Sequence, residues 1–196
     1  MIQLLAQLKQ DLLKLANPKQ AKLLQGFFKT GKGEYGEGDI FLGIKVPDVR
    51  KVAIKFKSLS LSDVEQLLKS KIHEERLCAL LLLVYNYQKY PERKEEIVKF
   101  YINSTKYINN WDLVDLSCHQ ILGNYLDGKD KSLLFKLAKS SNLWERRISV
   151  ISTFYFIKND NFEDSIKLTE LLLRVNHDLI HKAVGWMLRE VGKRDI

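Results

Sequence analysis

A helix pair that repeats about every 35 residues constrains the fold of this chain more than any other feature. From Leu61 onward, a shorter helical pattern, a polar turn and a longer apolar helical pattern recur. Aligning the longer helices places four residues in one column, at intervals of 35, 36 and 35: Arg76, Trp111, Arg147 and Lys182. Three positions later the aligned residues are small and apolar: Ala79, Val114, Val150 and Gly185. Small side chains let neighbouring helices approach closely, so this period predicts stacked helix pairs.

Residues that interrupt helices are scarce outside one segment. The 196 residues include three prolines and ten glycines, and five of the glycines lie between Gly31 and Gly43. We therefore predict one all-α domain over residues 1–196, a right-handed superhelix of HEAT-like antiparallel helix pairs with one glycine-rich loop and no strand. An irregular helical bundle with accidental phasing is the alternative.

Prolines and capping residues mark the predicted helix starts. Pro18, Pro47 and Pro91 each stand where a helix can begin, because the first helical turn does not need the missing N–H. Ser62 and Glu65 have the spacing of a capping box. Helices are therefore predicted to begin at these four places.

The charge distribution indicates an anionic partner. The chain carries 32 Lys and Arg against 24 Asp and Glu, a net charge of +8, and the first 60 residues supply +6 of that excess. Phosphate backbones are the most common partners of such surfaces, so nucleic acid is one interpretation. A lysine-rich surface that only keeps the protein soluble is the other.

Three features favour a cytoplasmic protein. The N-terminal segment MIQLLAQLKQDLLKLA is interrupted by charges and lacks a small-residue cleavage site, so it is typical of an amphipathic helix. The longest apolar run, residues 77–85, is too short to span a bilayer. Cys78 and Cys118 lie inside helical patterns, where a thiol packs as a small apolar group.

Two motifs resemble known sites but lack the necessary context. Gly31, Gly33 and Gly36 spell G-x-G-x-x-G, yet no predicted strand precedes them and no helix follows. A flexible loop, whose Lys32 could contact a phosphate, is the better interpretation. His177 and His181 lie one helical turn apart, but no third metal ligand is evident, so a helix start with packed or surface histidines is favoured over a zinc site.

Four residues on the longer, second helices of the repeats form the main candidate site: Trp111, Asp115, Arg147 and Trp186. Trp111 and Asp115 are four apart on one helix, and the repeat places Arg147 beside Trp111 and Trp186 beside Asp115. Two indoles, a carboxylate and a guanidinium would then share one surface patch. Position alone equally allows core tryptophans and a structural Asp–Arg ion pair. Trp144 is interpreted as a packing residue.

Four segments carry a resemblance to a known family: FLGIKVPDVRKVA, NNWDLVDLSCHQILG, LWERRISVISTFYFIKN and DLIHKAVGWMLREVGKRD. They are similar, in order and spacing, to segments of the AlkD-like DNA alkylation repair family, from about residue 27 to residue 194. The resemblance implies a HEAT-like fold that holds duplex DNA in a basic concave groove and excises N3- or N7-alkylated purines. It also implies further C-terminal helices beyond position 196.

The resemblance implies that the active residues are Trp111, Asp115, Arg147 and Trp186. Alkylation makes the purine a cationic leaving group, so Asp115 would stabilise positive charge on the deoxyribose and orient water. The two tryptophans would contact the sugar and the cationic nucleotide, and Arg147 would bind a flanking phosphate. No cofactor or metal is required.

The partner implied is duplex DNA carrying alkylated purines, bound by a monomer. The DNA-contacting residues that we predict are basic side chains: Lys32, Lys51, Lys55, Arg147 and Lys182. Two other functions stay open. One is a non-catalytic HEAT-repeat protein that binds damaged or branched DNA, and the other is a protein-interaction scaffold.

Overall fold

The computed structural model describes residues 2–195. These residues form no β-strand, and their single isolated bridge pairs Ile40 with Ile72. The predicted all-α class is confirmed. None of the helices in the described range is long and apolar enough to cross a membrane.

The chain divides into two compact units, residues 1–113 and residues 114–196. The helices before the division are α1 (Ile2–Lys14), α2 (Pro18–Phe27), α3 (Val46–Lys55), α4 (Leu61–Leu68), α5 (His73–Lys89) and α6 (Lys94–Asn103). Helix α7 (Trp111–Asp115) contains the division. The later helices are α8 (Asn124–Leu126), α9 (Ser132–Ala138), α10 (Leu143–Ser152), α11 (Phe154–Lys158), α12 (Glu163–Leu172) and α13 (Asp178–Gly192). Organisation as a single domain stays a prediction.

The core of the first unit is built on α5, which is buried along most of its length. Helices α3 and α4 pack against α5, and α1 contacts both α3 and α5. The buried Glu74 carboxylate accepts hydrogen bonds from the backbone N–H groups of residues 42, 43 and 44, at 2.8–3.2 Å. This carboxylate therefore ties the end of the glycine-rich loop to α5. Gly43 has φ +82°, and a Cβ there would lie 2.3 Å from the Asn17 carbonyl oxygen, so only glycine fits.

The second unit consists of the helix pairs that the repeat predicts. The shorter α9 packs on α10, α12 packs on α13, and the two longer helices contact each other. The segment between α7 and α8 differs, because residues His119–Gly123 form a π-helix. A Cβ on Gly123 would lie 2.3 Å from the Ser152 carbonyl oxygen, so glycine lets this segment pass close to the end of α10.

Most predicted boundaries agree with the structure, and one is wrong. Helix α2 begins at Pro18, Pro47 is the second residue of α3, and Pro91 opens a 3-10 helix that precedes α6. The capping box of α4 is formed by Ser60 and Asp63, whose side chains and backbone N–H groups bond reciprocally, and the predicted box two residues later does not form. The error arises because Ser and an acidic residue occur at both registers, and the helix begins at the earlier one.

The predicted packing residues are buried. Trp144 is 8% exposed and both cysteines are fully enclosed. Burial raises the pKa of the Cys78 thiol to about 12 and also raises that of Cys118. Both thiols therefore act as packing groups.

Candidate active site

A carboxylate and a guanidinium form a two-point ion pair in the second unit. Arg147 Nε donates to Asp115 Oδ1 at 2.9 Å, and Arg147 Nη2 donates to Asp115 Oδ2 at 2.7 Å. Arg147 Nη1 also donates to the backbone carbonyl of Leu179 at the start of α13. Such paired, charge-assisted bonds fix the plane of the carboxylate. The structure thus joins two of the predicted site residues directly.

The two members of this pair differ in exposure. Arg147 is 5% exposed, whereas the Asp115 side chain keeps 15% of its surface accessible. Asp115 ends α7, and the turn and π-helix that follow it form an irregular segment. The carboxylate is therefore fixed by Arg147 and keeps part of its surface accessible to solvent.

Trp186 lies in a short row of rings, also in the second unit. Its ring centroid is 5.3 Å from that of Phe154, at an angle of 47°, and Phe154 meets His119 edge to face at 5.3 Å. All three side chains are half-buried. The Lys158 ammonium lies 4.4 Å from the Phe154 ring centroid. We call Trp186, Phe154 and His119 the second-unit row.

Trp111 lies in a different aromatic group, in the first unit. Its ring stacks on Phe28 at 5.0 Å with an angle of 12°, and Phe28 stacks in turn on Phe41 at 4.9 Å. Phe27, which is 64% exposed, meets the Trp111 ring edge to face at 5.9 Å. Trp111 is therefore held at the end of a stack with an exposed phenylalanine beside it. Phe27 and Phe154 both lie in ordinary apolar stretches. No sequence pattern therefore marks them as neighbours of the two tryptophans.

The first unit also contains a buried polar network centred on His73. His73 Nε2 lies 2.8 Å from Asp112 Oδ2, and Nδ1 lies 3.4 Å from Asp39 Oδ2. Burial by itself lowers the pKa of His73, but Asp112 and then Asp39 outweigh it and raise the pKa to about 9. The ring is therefore an imidazolium at neutral pH, stacked on Phe41 at 4.4 Å. These residues stabilise the fold of this unit.

A cavity of about 310 Å³ adjoins this network in the first unit. Phe27, Phe28 and Phe41 form walls, and His73 and Glu74 contribute polar atoms. Those polar atoms are already hydrogen-bonded within the network and to the loop backbone. The cavity is therefore mainly an apolar surface.

The predicted DNA-contacting lysines lie on the surface. Lys51 pairs with Asp48 at 2.9 Å, Lys182 pairs with Asp178 at 2.7 Å, and Lys55 pairs with Asp11. Lys32 lies exposed in the glycine-rich loop. Exposed ion pairs contribute about 0.2–1 kcal/mol, so a phosphate could replace these carboxylates at little cost. The contacts of these lysines with DNA stay a prediction.

One of the two histidines at the start of α13 caps that helix. His177 is the N-cap, and its Nδ1 accepts a hydrogen bond from the Leu179 N–H at 3.2 Å. Across residues 2–195, no cluster of three or more His, Cys, Asp or Glu side chains is arranged to hold a metal ion.

Comparison with known proteins shows the family to which the chain belongs. The sequence profile described as DNA alkylation repair enzyme matches residues 8–196. A solved structure titled "Predicted DNA alkylation repair enzyme from Enterococcus faecalis" is similar, with a TM-score of 0.66 and 20% sequence identity over 91% of this chain and 84% of that one. Among curated proteins the comparison finds no match. Because the family profile extends over nearly the whole sequence, this chain belongs to the DNA alkylation repair enzyme family.

Proposed function

We propose that this protein is a DNA glycosylase that hydrolyses the N-glycosidic bond of N3- or N7-alkylated purines in duplex DNA. Membership of the family supports a role in the repair of alkylation damage. The observation that carries the finer proposal is the Asp115 carboxylate, which is partly exposed and oriented by Arg147 in the unit that also contains Trp186. A carboxylate with a fixed orientation suits a reaction that develops positive charge.

The reaction needs little acid catalysis because the substrate base is already cationic. As the C1′–N9 bond breaks, its electron pair moves to the purine, which leaves as a neutral base, and positive charge develops on the deoxyribose. Asp115 stabilises that charge and accepts a hydrogen bond from the attacking water. The water oxygen bonds to C1′, and its proton passes to the carboxylate and then to solvent.

Arg147 serves first to orient the carboxylate. A guanidinium has five N–H groups, and three of those in Arg147 are used by Asp115 and the Leu179 carbonyl. We propose that the two that remain donate to the flanking phosphate that the family resemblance implies. Arg147 would then join the DNA backbone to the catalytic carboxylate and fix their separation.

The indoles of Trp111 and Trp186 contribute through their ring faces. The negative face of an indole attracts a cation with about 0.5–2 kcal/mol, and an alkylated nucleotide is cationic. We propose that both tryptophans contact the sugar and the modified nucleotide. No metal or cofactor takes part in this scheme, and we propose that a monomer acts in the cytoplasm.

The test is the release of base from defined duplexes. The protein should release N7-methylguanine from duplex DNA and should leave O6-methylguanine in place, because the latter base carries no charge and is a poor leaving group. Asp115→Asn should lower the release rate about 10²- to 10³-fold, the usual effect of removing one group that stabilises transition-state charge. Tight binding of the N7-methylguanine duplex without any release would overturn the proposal and favour a non-catalytic DNA-binding protein.

A further inference from the structure

Lys158 lies over the Phe154 ring of the second-unit row. It ends α11, one helical turn after Phe154, and it is exposed. Lys167 and Lys182, also in the second unit, each pair with an acidic residue one turn earlier on the same helix. Within the described part of the chain, no carboxylate lies within ion-pair distance of Lys158, and its ammonium contacts only a ring face. The cation is therefore available to an outside anion.

Lys158 supplies the positive charge at the second-unit row. Phe154, whose ring the ammonium contacts, also contacts both Trp186 and His119. Burial first, and the charge of Lys158 second, lower the pKa of His119 to about 4, so its ring is neutral at physiological pH. A lysine over one ring that contacts two further rings combines a cation for a phosphate with aromatic surface, as in proteins that bind single-stranded nucleic acid.

We propose that Lys158, Phe154 and His119 form a DNA-backbone subsite beside Trp186, in which Lys158 binds a phosphate and Phe154 positions the indole. This inference rests on the proposed function, since it places DNA at Trp186. His119 meets Phe154 edge to face and helps to hold that ring in place. Phe154 is a positioning residue here, because it acts through Trp186.

The phosphate contact is tested by the affinity for unmodified duplex DNA at several salt concentrations. Lys158→Met should weaken binding about 5- to 10-fold near 0.1 M salt and should make the slope of log K against log salt shallower by about 0.9. Lys139→Met is the matched control, because Lys139 is exposed in the same unit and its loss changes the net charge equally. Equal effects of the two substitutions, or no effect of Lys158→Met, would overturn the subsite.

The role of Phe154 is tested by single-turnover release of N7-methylguanine. An aromatic contact of this kind is worth a 2- to 10-fold change, so Phe154→Leu should slow release by that factor at a saturating protein concentration. Phe154→Tyr, which keeps the ring, should restore the wild-type rate. A wild-type rate in Phe154→Leu, or a failure of Phe154→Tyr to restore the rate, would contradict the positioning role.

The two proposals fail in distinguishable ways. Binding of unmodified DNA does not depend on excision. If Lys158→Met binds this DNA more weakly and the wild type releases no base, the phosphate contact is supported and the glycosylase proposal is rejected. Release by the wild type together with unchanged DNA binding by Lys158→Met would reject the subsite alone.

Discussion

Two buried arginines, one in each unit, occupy the same position of the repeat and use it differently. Arg76 donates from Nη1 to the Ser70 carbonyl at 2.7 Å, and its Nη2 lies 2.7 Å from Asp39 without the alignment of a hydrogen bond. Arg147 also donates to a backbone carbonyl, but it makes two aligned hydrogen bonds to Asp115. Both arginines are at most 5% exposed.

The difference lies in the carboxylate partner. Asp39 is enclosed, and it is shared with His73, Asn109 and Asn110. The Asp115 side chain keeps 15% of its surface accessible to solvent. One repeat position therefore supports a closed polar network in the first unit and an accessible, oriented carboxylate in the second. A buried arginine in this column does not by itself indicate a site, because the exposure of its partner decides the role.

The largest effect on stability is expected from Arg76. Arg76→Met leaves Asp39 buried beside fewer positive partners, and it should lower the free energy of unfolding by about 3–5 kcal/mol. Arg147→Met should lower the free energy of unfolding by less, because water can reach the partly accessible Asp115 carboxylate. Urea denaturation of the two variants measures the difference. A larger loss in Arg147→Met would break the comparison.

The next effect concerns pH and His73. Its pKa in the folded protein, about 9, lies above the ordinary value of 6.5, so its stabilising charge is fully present below pH 6.5 and is lost as the pH rises to 9. The free energy of unfolding should fall by about 3 kcal/mol over that range. His73→Gln should be less stable at pH 6 and should lack this decline. A decline of the same size in the variant would place its origin elsewhere.

The two tryptophans should then differ in what their loss affects. Trp186→Leu should slow release of N7-methylguanine about 2- to 30-fold, the worth of one contact between a cation and an indole. Trp111→Leu should slow release by a similar factor and should also destabilise the first unit, because its ring stacks on Phe28. Single-turnover rates and urea midpoints separate the two effects. Equal destabilisation by both substitutions would contradict the assignment.

The smallest effect concerns His119, on the acidic side of neutrality. Burial and the neighbouring Lys158 lower its pKa to about 4, so the unfolded chain binds a proton near pH 6.5 that the folded protein does not. The free energy of unfolding should therefore fall as the pH drops from 6.5 towards 4. His119→Gln should reduce this fall modestly, as measured by thermal unfolding across that range. An identical profile in the variant would exclude this contribution.

The sequence predicts the fold better than it predicts the surroundings of the site. The 35-residue repeat and the scarcity of residues that interrupt helices are enough to predict the all-α class and the α9–α10 and α12–α13 pairs. They also place Asp115 and Arg147 on neighbouring second helices, although the repeat placed Trp111, and not Asp115, beside Arg147. The partners of each tryptophan, Phe28 and Phe154, could not be predicted, because they come from segments outside the aligned helices.

The His73 network also could not be predicted from the sequence. Asp39 belongs to a glycine-rich loop whose course depends on tertiary contacts, including the bonds from its backbone to Glu74. The π-helix after α7 was not predicted from the sequence either.

The most direct test of the account compares two aspartates of the same short helix. Asp112→Asn and Asp115→Asn are isosteric, but Asp112 belongs to the His73 network and Asp115 pairs with Arg147. We predict that Asp115→Asn lowers the single-turnover rate of N7-methylguanine release about 10²- to 10³-fold. Asp112→Asn should lower the urea midpoint and leave the rate of the folded protein within a few-fold of wild type. Wild-type release by Asp115→Asn, or an equal loss of rate in Asp112→Asn, would contradict the assignment of Asp115 as the catalytic carboxylate.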